Sequence, residues 1–145
     1  MMRDLERAKR MLKEDRLSLV IVKNGEAIFS SDSSGTNSIL QAIDNLGDRL
    51  SRASVADKIV GKAAALLFAY SHIKEAYAVI LSTEGLSTLR KNRIFVEYEK
   101  LVPRILDKNR RDICPFEKLV LEIESPSQAY KELKRFMKEI MRRSG

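Results

Sequence analysis

Histidine and cysteine are almost missing from this chain of 145 residues, which has one of each and no tryptophan. The single cysteine, Cys114, excludes an intrachain disulfide and agrees with a reducing compartment. Catalytic zinc sites usually take three protein ligands, most of them nitrogen or sulfur atoms. One copy of the chain cannot build such a site from one histidine and one cysteine, and no carboxylates are spaced to complete it.

Long apolar runs are also missing. The longest, residues 63–70, is far too short to cross a bilayer, and the charged N-terminus is not followed by an apolar signal region. Hydrophobic residues make up 44% of the chain and charged residues 32%, which is typical of a globular protein. We therefore expect one cytoplasmic domain over residues 1–145, without a membrane partner and with a core of its own.

The net charge of +7 is concentrated in two basic clusters. Basic clusters can hold phosphates, and they occur on nucleic-acid-binding proteins. No stacking aromatic residues are interleaved with these charges, so we prefer the interpretation of a solvated surface to that of a nucleic-acid or protein-binding module. The clusters consist of Arg90, Lys91, Arg93, Arg104, Lys108, Arg110 and Arg111 around a predicted strand, and of Lys131, Lys134, Arg135, Lys138, Arg142 and Arg143 on the last helix.

The stretch from Ser54 to His72 is predicted to be a buried central helix. Ser54 is a candidate N-cap, Asp57 follows three residues later, and the residues beyond are apolar on every side of a helix. Gly61 would then lie in the helix interior, where glycine costs about 1 kcal/mol relative to alanine. Its presence indicates that another backbone or a ligand comes close at this point.

The remaining pattern predicts an α/β domain with two strand–helix–strand crossings. Residues 3–15 form an amphipathic helix, and the Asn24-Gly25 turn joins two strands of a hairpin. The other predicted elements are a helix through residues 39–46, a buried strand at 76–81 parallel to one of the hairpin strands, a short helix through 86–89, a strand at 94–98, a turn opened by Pro103, a helix begun by Cys114-Pro115 that runs to about residue 123, and a basic helix over 126–143.

This order of elements resembles the cytidine deaminase-like fold. Three blocks carry a narrower resemblance: residues 19–31, the run DKIVGKAAALL at 57–67 and the run CPFEK at 114–118. They resemble an uncharacterised prokaryotic family, a domain of unknown function to which that fold is assigned. The resemblance spans nearly the whole chain. It implies a three-layer α/β/α sandwich around a mixed sheet of four or five strands with an N-terminal hairpin, and it brings no established activity.

Active deaminases of this fold carry two zinc-binding motifs. A His/Cys-x-Glu motif begins the central helix that follows the hairpin, and Pro-Cys-x-x-Cys begins the helix after the third strand. The resemblance places the first motif near residues 56–58 and the second near residues 83–86. Neither motif is present at those positions. The resemblance therefore implies a deaminase-like protein that lacks zinc-dependent deaminase activity.

Asp57, Lys58 and Lys62 would lie on the first turns of the central helix, at the end of the sheet where open α/β folds bind ligands. Lys58 and Lys62, four residues apart, would share a helix face and could hold a phosphate or carboxylate. The alternative is that Asp57 only caps the helix and the lysines only face solvent. Further candidate contacts are Ser33, Ser34 and Gly35 in a polar loop before a helix, and Thr83 and Glu84 at the second motif position.

Cys114 would lie at a helix N-terminus, where the helix dipole favours the thiolate. A thiol or lysine enzyme would use Cys114 with Asp57 or Lys58, but most lone cysteines are only small buried hydrophobic residues. His72 lies at the other end of the central helix and offers no nearby base. We expect a protein that binds a small anionic ligand, plausibly a nucleotide or sugar phosphate, without a metal or cofactor.

Overall fold

The computed structural model describes residues 2–33 and 35–144, which form six helices, five strands and a 3-10 turn at Gly47–Leu50. The strands are β1 (Leu19–Lys23), β2 (Glu26–Ser31), β3 (Ser54–Val60), β4 (Glu75–Ser82) and β5 (Phe95–Val102). The helices are α1 (Asp4–Glu14), α2 (Thr36–Leu46), α3 (Lys62–Tyr70), α4 (Thr83–Lys91), α5 (Pro115–Leu119) and α6 (Pro126–Ser144).

The five strands form one mixed sheet in the order β2-β1-β3-β4-β5. Strand β1 pairs antiparallel with β2 and β3, whereas β4 pairs parallel with β3 and β5. Strands β2 to β5 consequently all run in one direction, and their carboxyl ends lie at one side of the sheet, which we call the carboxyl edge. Helices α2, α3 and α4 each follow one of these strand ends.

Helices cover both faces of the sheet, which confirms the predicted three-layer α/β/α sandwich. Helix α1 packs on one face through a small apolar cluster, and helices α2, α3, α4 and α6 pack on the other through a larger one. Alternation along β1 explains this division, because Leu19 and Ile21 join the larger cluster while Val20 and Val22 join the smaller one. The four residues are all buried, as expected for a strand covered on both faces.

The hairpin predicted from Asn24-Gly25 is confirmed. Both residues have positive φ, 52° and 81°, the backbone conformation that a two-residue hairpin turn of this type requires. The carboxylate of Asp4, the first residue of α1, accepts hydrogen bonds of 2.9 Å from the backbone N–H groups of both turn residues. The start of the first helix is thereby tied to the turn.

The predicted central helix from Ser54 to His72 is wrong in its first third, because residues 54–60 form β3 and the helix begins only at Lys62. Three β-branched residues, Val55, Ile59 and Val60, favour a strand, and pairing with β1 on one side and β4 on the other satisfies its backbone. Gly61 is therefore the N-cap of α3 and not an interior residue. Asp57 and Lys58 lie in a strand and not on a helical turn.

Smaller expectations also changed. Strand β4 runs parallel to the hairpin strand β2, as expected, although β1 and β3 lie between them in the sheet. Pro103 opens no helical turn; the chain instead runs to an isolated antiparallel bridge between Leu106 and Ile113. Helix α5 ends at Leu119, earlier than expected. Across the part of the chain that the structure describes, no helix combines the length and apolar character needed to cross a membrane.

Candidate ligand site at the carboxyl edge of the sheet

The carboxyl edge of the sheet gathers most of the candidate residues, although two of them lie in a different element from the one expected. Because each candidate lies in or after a strand that runs toward this edge, the parallel arrangement brings them to one side of the molecule. Ser34 lies outside the described residues. The others are Ser33 and Gly35 between β2 and α2, Asp57 and Lys58 in β3, Lys62 at the start of α3, Thr83 and Glu84 at the start of α4, and Cys114 at the N-cap of α5.

The N-terminus of α3 is closed by a carboxylate from a distant part of the chain. Glu117 Oε1 accepts a hydrogen bond of 2.8 Å from the backbone N–H of Lys62, and Oε2 accepts one of 2.8 Å from that of Ala63. These N–H groups have no partner within the helix, and the positive end of the helix dipole favours a negative charge there. A side chain of the protein thus occupies the position where we expected an anionic ligand.

Gly61 is required by this contact. A Cβ atom at position 61 would lie 2.3 Å from Glu117 Oε1, which is closer than any real Cβ contact. A Cβ at Gly85, in the first turn of α4, would lie 3.1 Å from the backbone carbonyl group of Gly61. The starts of α3 and α4 therefore approach each other closely, and the expectation that Gly61 marks a close approach is correct although its place in the helix is not.

Burial raises the pKa of Glu117 above its ordinary value, and the negative charge of nearby Glu84 adds to this effect. The backbone N–H groups of Ala63 and Lys62 act in the opposite direction. The local sequence gives no sign of this pairing. Glu117 follows Pro115 and reads as an ordinary residue in the first turn of its own helix, whereas its partners lie more than 50 residues earlier in the chain.

Lys62 is held in place by its side chain as well as by its backbone. Its Nζ donates to the backbone oxygen of Leu121 at 3.0 Å and to Glu124 Oε2 at 2.7 Å. The other oxygen of Glu124 accepts from Lys91 Nζ at 2.7 Å, and the hydrogen bonds from the two lysines lower the pKa of Glu124 to about 2. A ligand that used the Lys62 ammonium would have to replace these contacts.

Asp57 is the buried acidic group of this edge. It is 7% exposed, and its partners in the neighbouring strands, Leu19 and Ala78, belong to the larger apolar cluster. Burial raises the pKa of Asp57 to about 8, and the backbone N–H groups of Lys58 and Ile59 oppose this only in part. The side chain is consequently protonated and neutral at pH 7. It does not cap a helix, which was the alternative interpretation.

The start of α2 differs from the starts of α3 and α4. Ser82 Oγ caps α4 by accepting from the backbone N–H of Gly85, but no side chain among the described residues caps α2. The N-cap of α2 is Gly35, and its first turn contains no acidic residue. Ser38, in that turn, donates through Oγ to the backbone oxygen of Ser33 at 2.7 Å, which shapes the loop before the helix.

The remaining candidate residues are more exposed or make fewer contacts. Lys58 is exposed on the strand and cannot share a helix face with Lys62, which corrects that expectation. Thr83 Oγ1 donates to the backbone oxygen of Pro103 at 3.2 Å. Cys114 is half-buried, and His72 follows the far end of α3, away from the carboxyl edge. A reactive role for Cys114 stays a prediction.

The basic cluster on α6 is partly paired with acidic residues. Lys134 Nζ lies 3.0 Å from an Asp44 carboxylate oxygen, and Arg135 NH1 lies 3.0 Å from Glu132 Oε1. Arg142 is also paired, with Glu139, at 2.6 Å. These contacts agree with a solvated charged surface, and nucleic-acid binding by this helix stays a prediction.

The residues that correspond to the two deaminase zinc motifs in the structure differ from those expected from the sequence. The helix that follows the hairpin is α2, so the first position becomes Thr36, Asn37 and Ser38; the helix after the third strand is α3, so the second becomes residues 61–65. None of these residues is histidine, cysteine or glutamate. Within residues 2–33 and 35–144, no three histidine, cysteine, aspartate or glutamate side chains are grouped to hold a metal ion.

We predict strong coupling between Gly61 and Glu117. Glu117→Ala should lower the free energy of unfolding by about 1.5–3 kcal/mol, because two charge-assisted hydrogen bonds are lost. Gly61→Ala should cost a similar amount in the wild-type protein, since its Cβ displaces the carboxylate, but almost nothing in the Glu117→Ala protein. Urea unfolding of the four proteins in a double-mutant cycle measures this coupling.

The matched control for this cycle is Glu122→Ala, which removes an exposed glutamate from the same segment. Its effect should add to that of Gly61→Ala without coupling. Equal costs of Gly61→Ala with and without Glu117 would contradict the close contact.

We also predict that Asp57 lowers stability as the pH rises. The folded-state pKa of about 8 lies above the ordinary value of 3.8, so the folded protein keeps a proton that the unfolded chain releases. Stability should therefore be unaffected by this group below pH 4 and should fall between pH 4 and pH 8, by up to about 1.4 kcal/mol per pH unit. Asp57→Asn should remove this part of the slope in urea unfolding measured from pH 5 to pH 8.

The exposed carboxylate of Asp48 provides the control, because Asp48→Asn makes the same chemical change outside the core. This variant should follow the wild-type slope. If the unfolding free energy of Asp57→Asn depends on pH as steeply as that of the wild type, Asp57 is ionised in the folded protein.

The TM1506 family model, described as a domain of unknown function (DUF1893), matches residues 7–137. The crystal structure of a DUF1893 family protein (TM1506) from Thermotoga maritima is 29% identical, with a TM-score of 0.84 over 93% of this chain and 91% of that chain.

A diaminohydroxyphosphoribosylaminopyrimidine deaminase/5-amino-6-(5-phosphoribosylamino)uracil reductase from Thermotoga maritima shows a likeness too weak to support a conclusion. It is 16% identical, with a TM-score of 0.48 over 72% of this chain and 34% of that chain. No curated protein matches. Because the family model covers most of the residues, this chain belongs to the DUF1893 family.

Proposed function

We propose that this protein binds a small ligand with an anionic group, such as a nucleotide or a sugar phosphate, at the carboxyl edge of the sheet. The observation that carries the proposal is the open start of α2. Among the described residues, the first turns of α3 and α4 are capped by Glu117 and Ser82, whereas no side chain caps that of α2. Unpaired backbone N–H groups at a helix start are a common binding site for phosphate.

The charge around α2 supports an anionic ligand. The helix is 11 residues long, so its dipole is well developed, and no acidic residue in its first turn would repel a phosphate. Ser33 and Gly35, in the loop before the helix, are the proposed contacts that supply a hydroxyl and a backbone N–H. Lys58, exposed where β3 approaches the carboxyl edge, is a further cation for the ligand.

Asp57 supplies a second kind of contact. Because its raised pKa keeps the carboxyl group protonated at pH 7, the side chain does not repel an anion, and its O–H can donate a hydrogen bond. A ligand with a carbonyl or ring-nitrogen acceptor beside its phosphate could use both features at once. A nucleotide has this combination, and this is why we favour it over inorganic phosphate.

The proposed binding does not use zinc-dependent deaminase chemistry. The chain has one histidine and one cysteine, and His72 follows the far end of α3 while Cys114 is the N-cap of α5. Zinc in a deaminase site needs three such ligands together.

A thermal-shift screen with nucleoside monophosphates, nucleoside diphosphates and ribose 5-phosphate tests the proposal. A ligand at a hundred times its Kd should stabilise the protein by about 2.7 kcal/mol and raise the melting temperature by several degrees. Asn37→Asp, in the first turn of α2, adds a carboxylate that competes for the same N–H groups. It should weaken binding about tenfold or more, as measured by titration calorimetry.

Gln41→Glu is the matched control, since it adds the same charge on an exposed position of the same helix, beyond the first turn. Its affinity should stay within about twofold of wild type. The proposal is overturned if no compound in the screen raises the melting temperature, or if Asn37→Asp and Gln41→Glu weaken binding equally.

A further inference from the structure

Strand β5 is an edge strand that leaves one row of backbone groups without a neighbour. It is eight residues long, and among the described residues its only paired strand is β4. Three large apolar side chains on this strand are also exposed: Phe95 by 55%, Tyr98 by 39% and Leu101 by 42%. Long, exposed, apolar edge strands are rare in monomeric proteins because they pair readily with other strands.

The opposite edge of the sheet is protected in the usual way. Strand β2 has six residues, and its pairing with β1 is interrupted by a bulge where Ile21 opposes Phe29 and Val22 opposes Ala27. Bulges twist an edge strand and prevent further pairing. The eight residues of β5 pair with β4 without any register shift, so this edge has no bulge and its protection is limited to the charges of Glu97, Glu99 and Lys100.

We infer that β5 pairs antiparallel with β5 of a second copy of this chain and joins the two sheets into one ten-stranded sheet. The sequence of β5 is self-complementary for this arrangement. A twofold axis through Tyr98 would place Tyr98 beside its own copy and each Phe95 opposite a Leu101. The exposed apolar side chains would then cover one another, and the interface would be isologous, as in most homodimers.

The charges of β5 agree with this register. Glu97 and Glu99 would face each other across the axis, but each is already paired with a lysine of α1: Lys9 Nζ lies 2.9 Å from Glu97 and Lys13 Nζ lies 3.2 Å from Glu99. Four carboxylates and four ammonium groups would therefore alternate beside the axis. The fourth residue pair, Val96 with Lys100, carries no like charges.

Sedimentation equilibrium of the full chain measures the association. The wild-type protein should be dimeric at micromolar concentration, and Leu101→Lys should weaken the dimer at least tenfold, because each copy would place a new charge against Phe95 of the other. Ile140→Lys makes the same change at an exposed apolar residue of α6 and should leave the dimer intact. A monomeric wild-type protein, or equal effects of the two variants, would overturn the inference.

Cysteine cross-linking tests the register and leaves the contacts between Phe95 and Leu101, on either side of the axis, intact. In a Cys114→Ser background, Tyr98→Cys would place two Cα atoms about 4.5–5.5 Å apart across the axis, within the range of a disulfide. Lys100→Cys would place them about 14 Å apart. Mild oxidation should cross-link the first variant and not the second. Cross-linking of Lys100→Cys alone would show that the register is wrong.

Discussion

The carboxylate of Glu117 at the start of α3 is the contact on which the arrangement of the carboxyl edge depends. It joins the segment after β5 to the centre of the molecule, because Leu121 and Glu124 then reach the Lys62 side chain. Lys91 extends the same network to α4. Glycine at position 61 is a consequence of this contact, since any side chain there would occupy the space of the carboxylate. The contacts of Glu117 and Glu124 thus lie where α3, α4 and α5 meet.

The capping of α3 by Glu117 also limits where a ligand could bind. At the start of α3, the N–H groups of Lys62 and Ala63 already hold an internal carboxylate, and displacing Glu117 would leave a charged group to be solvated elsewhere. At α2 there is no such competitor among the described residues. Two helices that begin at the same edge therefore differ. The N-terminus of α3 is closed by a carboxylate of the protein, and that of α2 has no side-chain cap among the described residues.

Elements with one polar and one apolar side were predictable from the sequence, and so was the buried strand β4, whereas the buried strand β3 was not. Helices α1, α2 and α6 show clear apolar stripes, and Asn24-Gly25 specifies its hairpin without help from the rest of the chain. Strand β3 is covered on both faces and paired on both edges, so its sequence shows no alternation. Polar Asp57 and Lys58 then resembled a helix start, although the true boundary is Gly61, where the β-branched residues end.

The candidate site was predictable in position but not in its contacts. Polar residues follow each strand that ends at the carboxyl edge, so their order along the chain is enough to place Ser33, Lys62 and Thr83 on one side of the sheet. The state of Asp57 is different, because its raised pKa results from strands and helices that surround it and are distant in sequence. A carboxyl group that sequence patterns assign to a charged helix cap is, in the folded protein, a neutral group in the core. Burial thus removes the charge that would repel an anion at this position.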